Sequence, residues 1–365
     1  MRRPVPPQPD APLPLLFSCR SFFCGTWILL ASCGDRSPSK SEFIAVRSEP
    51  PRASQKPIEP DRSQIQVESP TKAETQQQSD SSSKPTIVSE PPPRTPKDPL
   101  STKLSKVLKK TQHPSLTLIV RLENNELLGH AQKGFESDSS IIEQSRWAPA
   151  STVKPLLAWQ ALENGTWSKT QEVDCRGAEA NAFGKPCFAR HNFIDLPTAI
   201  AKSCNLYFFA LADRIGRSGV IQSFKKIGFD TESITESNWQ ESALGHGSLL
   251  VTPLQIADAY RQMTLALQQD PRLLPIRNGL ERAIHDPQGT AHGPASASIP
   301  IMGKTGIHRS SSSATSSNVH WFAGIAPRDE PQVVVVSLVE NDPSKKNQAI
   351  TIAAQSIKAW ESTRQ

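Results

Sequence analysis

The stretch PASTVK, Pro149 to Lys154, opens an apolar run with helical spacing, PLLAWQALENG. It sets a hydroxyl, Ser151, and an amine, Lys154, three residues apart at the start of a buried helix. Residues i and i+3 share a helix face, so Lys154 can reach the Ser151 hydroxyl. The helix N-terminus favours a developing negative charge there, and Pro155 is tolerated because this is the first turn. A serine is a weak nucleophile until a neighbouring base takes its proton. A lysine can be that base if burial lowers its pKa. Ser-x-x-Lys carries little information alone: it recurs at Ser37/Lys40, Ser69/Lys72, Ser81/Lys84 and Ser223/Lys226.

Further along, SCN supplies Ser203 and Asn205 in a helical region, and KTG supplies Lys304, Thr305 and Gly306 at the end of a strand. Ser-x-x-Lys, Ser-x-Asn and Lys-Thr-Gly in that order are the signatures of penicillin-binding proteins and serine β-lactamases. Lys-Thr-Gly occurs once, and the decoy Ser316-x-Asn318 lies on the wrong side of it. The segments around these motifs narrow the match. PASTVKP, IDLPTAIAKSCNLYFFALADRIG, GHGSLLVTPLQIADAY and WFAGIAP with VVVVSLVE resemble the corresponding boxes of the class B penicillin-binding proteins, over residues 115 to 361.

That resemblance implies a fold, a reaction and a set of roles. The fold is α+β, an antiparallel sheet flanked by helices. The reaction is peptidoglycan D,D-transpeptidation through a serine acyl-enzyme that also binds penicillin. Ser151 attacks, Lys154 is the general base, and Ser203 relays a proton. Asn205 holds Lys154 and the substrate amide. Lys304 and Thr305 meet the substrate carboxylate, while Gly303 and Gly306 keep the strand edge open. The N–H groups of Ser151 and Ile307 form the oxyanion hole. Peptidoglycan stem peptides and β-lactams are the implied ligands, a glycosyltransferase is an open partner, and no cofactor or metal is implied. Alternatives on the same fold are a D,D-carboxypeptidase, a β-lactamase or a β-lactam sensor; another is a catalytically weak lipoprotein that binds cell wall or partner proteins. No Glu-x-x-Asn element in the globular part supports a class A lactamase, and Asn205 argues against class D. The family's Lys-Thr-Gly-Thr is here Lys-Thr-Gly-Ile, so Ile307 removes one hydroxyl that would meet the carboxylate. No pedestal domain is recognisable ahead of the catalytic segment. His246 stands where the family has Gln and reads as structural.

The rest of the sequence sets the context. The chain has 365 residues and a net charge of +6, and 18 of its 32 prolines crowd into the first hundred positions. No basic stripe interleaves with aromatics, so nucleic acid is not indicated; KLSKVLKK (103–110) reads as a solvated face. Arg2, Arg3 and Arg20 precede SFFCGTWILLASC, shorter than the about 20 residues a membrane span needs. It suits a signal h-region, and LASC resembles a lipobox with Cys33 as the lipidated residue. Expected domains are a signal peptide with lipobox (1–33), a disordered Pro/Ser-rich tether (34–112) and the transpeptidase domain (113–365). The expected location is the bacterial envelope, on the periplasmic side, held to the membrane by the lipid.

In such an oxidising compartment Cys175 and Cys187 can form a disulfide, stabilising by about 3 kcal/mol. Zinc and a reduced pair are the competing readings; no second Cys/His pair lies near with ligand spacing. Cys204 reads as a small buried hydrophobe. Strands are expected in SLTLIVRLENNELLGHA, IPIMGKTG, NVHWFAGIA and QVVVVSLVE. Helices are expected from Ala150 to Gly165, across 195–214, over 252–267 and in NQAITIAAQSIKAWE.

Overall fold

A run such as VVVVSLVE, with no polar face, needs cover on both sides of its sheet. The computed structural model supplies that cover. It describes residues 98–135, 140–177, 187–293, 299–309, 318–341 and 348–364, with the backbone of Val46–Arg47. The apolar segment before Cys33, Cys33 itself and, apart from Val46–Arg47, the stretch 34–97 lie outside the described residues.

In chain order the main elements are α1 (Pro99–Leu108), β1 (Ser115–Arg121), β2 (Leu127–Lys133), α2 (Val153–Glu163), β3 (Glu172–Cys175), β4 (Asn192–Ile194) and α3 (Leu196–Ala201). Then follow α4 (Asn205–Lys226), α5 (Pro253–Gln269), α6 (Leu274–His285), β5 (Met302–Arg309), β6 (Asn318–Ala326), β7 (Val333–Glu340) and α7 (Gln348–Glu361). Five strands form one antiparallel sheet in the order β2-β1-β7-β6-β5. A small second sheet pairs Val46–Arg47, β3 and β4.

The period of two along each strand sorts side chains to two cores. Leu116, Leu118 and Val120 of β1 join Val334, Val336 and Leu338 of β7 against α2, α4 and α5. Ile119, Val335 and Val339 face the other way, with Ile352, Ala353 and Ile357 of α7. On that second side the one polar residue inside VVVVSLVE is satisfied: Ser337 Oγ lies 2.9 Å from Thr117 Oγ1, which also meets Ser356 Oγ at 3.1 Å. The α+β expectation with an antiparallel sheet and a final covering helix is therefore the observed architecture.

Two expectations need correction. The globular part starts before residue 113. Asp98 caps α1 by accepting from Leu100 N–H, and Leu100, Leu104 and Leu108 are buried at four-residue spacing in the second core. That stripe gives α1 enough apolar surface to dock, although its outer face is basic and polar. The helical region 195–214 is also interrupted. α3 ends at Ala201, Ser203 takes a left-handed φ of 54°, and α4 restarts at Asn205 under a Cys204 N-cap. α4 in turn contains a break at Gly216, φ 70° and ψ 173°.

Candidate active site

The turn that carries Ser151 is built from short-range strain and long-range clamps. Ala150–Thr152 forms a single 3-10 turn leading into α2, with Ala150 at φ 50°. A non-glycine residue in this region is uncommon and strained. Neighbouring segments hold it there. Ala150 N–H donates to Gly245 O at 2.7 Å. Trp321 Nε1 donates to Ala148 O at 3.0 Å, and Tyr260 Oη to Thr152 O at 2.8 Å. Thr152 Oγ1 donates back to Pro149 O at 2.7 Å. Ser151 is only half-buried, so its hydroxyl stands at an accessible edge of an otherwise buried turn.

One turn later Lys154 is fully buried. Its Nζ donates to Ser203 O at 2.9 Å and to Asn205 Oδ1 at 2.6 Å, and lies 3.4 Å from Ser203 Oγ. The left-handed turn at Ser203 is what makes this possible. It swings the Ser203 carbonyl and hydroxyl toward Lys154 and starts α4 with Asn205 beside them. Burial pushes the Lys154 ammonium down to about 8, while negative charge on the sulfurs of Cys204 and Cys187 acts in the opposite sense.

The Lys-Thr-Gly strand closes the other side. A Cβ on Gly306 would stand 2.8 Å from Pro149 O and 3.2 Å from Ala150 Cβ, so β5 runs against the turn that carries Ser151. Only a glycine permits that approach. Lys304 is fully buried and donates to Thr305 O at 3.0 Å. Burial, and then the charge of Lys154, hold it well below the usual lysine range. Thr305 Oγ1 donates to Thr290 Oγ1 at 2.9 Å, and Thr290 N–H donates to Ala201 O at 3.0 Å, tying β5 to the end of α3. Ile307 is half-buried opposite His320. Beyond it, His308 Nδ1 lies 3.2 Å from His246 Nδ1, joining β5 to the segment after Gly245.

The structure thus brings Ser151, Lys154, Ser203, Asn205, Lys304, Thr305, Gly306 and Ile307 around one turn. Sequence reading did not single out Thr290, Tyr260 or Gly245 as parts of this frame. Gly245 and Tyr260 are the two ends of the quoted GHGSLLVTPLQIADAY segment, but nothing local marks Thr290.

The cysteines behave differently from expectation. Cys175 and Cys187 are both free thiols, so the structure contains no disulfide between them. Cys204, read as a simple apolar filler, joins them, and so does His191. The four ligand atoms all lie within 4.8 Å of one another. Hydrogen bonds from Cys175 and then Cys204 hold the Cys187 thiol well below its usual range, and Cys175 and Cys187 raise His191 to about 9. This is the one group of three or more His, Cys, Asp or Glu ligand atoms among the described residues that could hold a metal ion.

With this geometry in hand, the comparisons with known proteins are specific. Residues 116–267 and 272–359 match the penicillin binding protein transpeptidase domain, and the chain belongs to that family. Penicillin-binding protein 3 of Bacillus subtilis strain 168 is 23% identical over 243 residues, which are 53% of this chain and 36% of that protein. The peptidoglycan D,D-transpeptidase MrdA of Acinetobacter baumannii is 22% identical over 268 residues, 54% of this chain and 40% of that one. The chain spans less than half the length of these curated relatives. Among solved structures, the transpeptidase domain of Burkholderia pseudomallei penicillin-binding protein 3 superposes with a TM-score of 0.60 at 16% identity, covering 73% of this chain and 94% of that one. Pseudomonas aeruginosa PBP2 in complex with WCK 5153 gives 0.58 at 18% identity, covering 72% and 74%.

Proposed function

We propose that this chain is a serine D,D-transpeptidase of peptidoglycan that is acylated by stem peptides and by β-lactams. The observation that carries the reading is the fully buried Lys154, one helical turn from Ser151 and held by Ser203 and Asn205. Ser151 Oγ attacks the carbonyl of a D-alanyl-D-alanine bond, and its proton passes to the Lys154 amine. The oxyanion faces the N–H groups of Ser151 and Ile307. The C–N bond then breaks, and the departing amine takes a proton through Ser203. The acyl group passes to the amine of a second stem peptide. Lys304 and Thr305 receive the substrate carboxylate. With a β-lactam the ring opens but nothing departs, so the ester persists.

The test is covalent labelling with a fluorescent penicillin, followed by the rate at which the label leaves. Slow release supports the transpeptidase, rapid turnover a lactamase, and no label a binding protein. The pH dependence is a sharper check. Only the neutral Lys154 amine can accept the Ser151 proton, and its pKa is lowered to about 8. The second-order acylation rate is therefore expected to rise with pH through a midpoint of about 8, rather than the about 10.4 of an ordinary lysine. A rate that does not change between about pH 6.5 and about pH 9.5 would remove Lys154 as the titrating base.

The proposed site of action is the cell envelope outside the cytoplasm, with Cys33 as the lipid anchor. LASC after the apolar run supports this. Among the described residues no helix is long and apolar enough to cross a membrane. Cys33→Ala is expected to end incorporation of radiolabelled palmitate; equal incorporation in parent and variant would reject the lipobox.

A further inference from the structure

Two imidazoles meet beside the Ser151 turn, and neither has a part in the reaction steps given above. His246 lies between two left-handed glycines, Gly245 at φ 78° and Gly247 at φ 70°, and its backbone N–H donates to Glu241 O at 2.9 Å. His308 follows Ile307 on β5. Its Nδ1 lies 3.2 Å from that of His246, with the ring centroids 5.5 Å apart and the ring planes at 33°. At that nitrogen separation, 5.5 Å is close to the largest centroid distance that two five-membered rings allow, so the nitrogens point at each other. A stacked pair would bring the centroids nearly as close as the nitrogens. One Nδ1–H therefore donates to the lone pair of the other Nδ1, and the accepting ring is neutral with its proton on Nε2. Both side chains are half-buried, which shields the bond from competing water.

The bond closes a ring of contacts around the proposed nucleophile. Ala150 N–H donates to Gly245 O at 2.7 Å, which ties the residue before Ser151 to the residue before His246. On the other side a Cβ on Gly306 would stand 2.8 Å from Pro149 O, and His308 lies two residues further along β5. β5 is an edge strand, paired with β6 alone among the described residues, so no second strand fixes its distance from the turn. The His246–His308 bond does. The two oxyanion donors of the proposed reaction are the N–H groups of Ser151 and Ile307. Ser151 adjoins the anchored Ala150, and Ile307 adjoins His308. The imidazole pair thus links the segment that holds one donor to the strand that carries the other. Such donors act only at about 2.7–3.1 Å from the developing charge, so a small change in their separation weakens the stabilisation.

We infer that His246 and His308 are positioning residues whose N–H···N bond sets the spacing of the two oxyanion donors. The inference rests on the acyl transfer proposed above. Neither imidazole makes or breaks a bond to the substrate. The oxyanion forms only as the serine adds to the carbonyl, so the pair stabilises the transition state and leaves the noncovalent complex nearly unchanged. A contact that only braced the fold would lower stability without selecting one kinetic step.

The test uses the full chain. Stopped-flow acylation by penicillin, over concentrations that reach saturation, separates the dissociation constant of the noncovalent complex from the first-order acylation constant. His246→Ala and His308→Ala are each expected to lower the acylation constant about thirtyfold, short of the 10²–10³ lost when an oxyanion donor is removed outright. The dissociation constant is expected to stay within about twofold. The double variant is expected to be no slower than either single one, because both remove the same bond. His246→Gln, whose amide can donate to or accept from His308 Nδ1, is expected to recover most of the loss. Melting gives an arm that needs no acylation: each alanine variant is expected to melt roughly 3 °C lower, and the double variant by about the same amount rather than twice it. Parental acylation constants in folded alanine variants would overturn the positioning role, as would a loss carried by the dissociation constant. Melting shifts that add in the double variant would overturn the bond itself. A folded parent chain that penicillin never acylates is a separate result: it overturns the proposed function and the positioning role with it, while the melting cycle still decides the bond.

Discussion

Ser151→Ala is expected to abolish covalent labelling by a fluorescent penicillin, and Lys154→Ala to slow it by about a thousandfold, within the 10²–10⁴ range of a positioned general base. The two losses have different origins. The first removes the atom that forms the ester. The second leaves the hydroxyl in place but takes away the group that accepts its proton, and with it the partner of Ser203 O and Asn205 Oδ1. The Lys154 variant loses a buried amine, so its fold has to be checked by circular dichroism and melting before the rate is read. Labelling of Ser151→Ala at the parental rate would move the nucleophile elsewhere. Labelling of a folded Lys154→Ala at the parental rate would leave Ser151 without its proposed base.

The second large effect is on folding. Gly245 has φ 78°, and a Cβ there would fall 1.8 Å from Ala150 O and 2.5 Å from Ala150 C. Those are backbone atoms of the turn that carries Ser151, so no side chain can rotate away. Gly245→Ala is expected to cost more than about 3 kcal/mol: about 1–2 from the left-handed backbone and the rest from parting two clamped segments. Gly165 makes a direct control. Its φ is 66°, but a Cβ would meet nothing within 4 Å. Gly165→Ala should therefore lose only about 1–2 kcal/mol, the conformational part alone. Chemical denaturation of the two variants separates the contributions. Equal losses would mean that the Ala150–Gly245 contact does not brace the turn.

Much of the candidate site could be read from the chain because its parts are local. Ser151 and Lys154 are one helical turn apart, so their proximity follows from the period of the helix. Ser203 and Asn205 flank a single residue. Lys304, Thr305 and Gly306 are consecutive on one strand. The strands around them were equally legible, since VVVVSLVE and NVHWFAGIA carry an apolar pattern that no helix face would need. α1 was legible in part: its leucines fall at four-residue spacing, but a basic outer face and a Pro/Ser-rich lead made the segment resemble linker.

The sequence by itself determined which residues could act and the order of the elements that carry them. Tertiary structure decided how separate segments meet, because that depends on close approaches with no sequence period. Thr290 reaches Thr305 only because α6 delivers its following turn to β5. Ala150 and Gly245 are clamped only where two distant turns cross. Cys175 and Cys187 looked like a bridging pair because they lie near each other in the chain. His191 from the following turn and Cys204 from a helix cap turned that pair into a four-ligand cluster. Spacing sufficed to set Ser151 and Lys154 one turn apart, because that separation is fixed by the helix itself. It did not suffice for a site whose four donors come from a strand, a turn and a cap, because only the packing of those three pieces brings their sulfurs and nitrogen to a common centre.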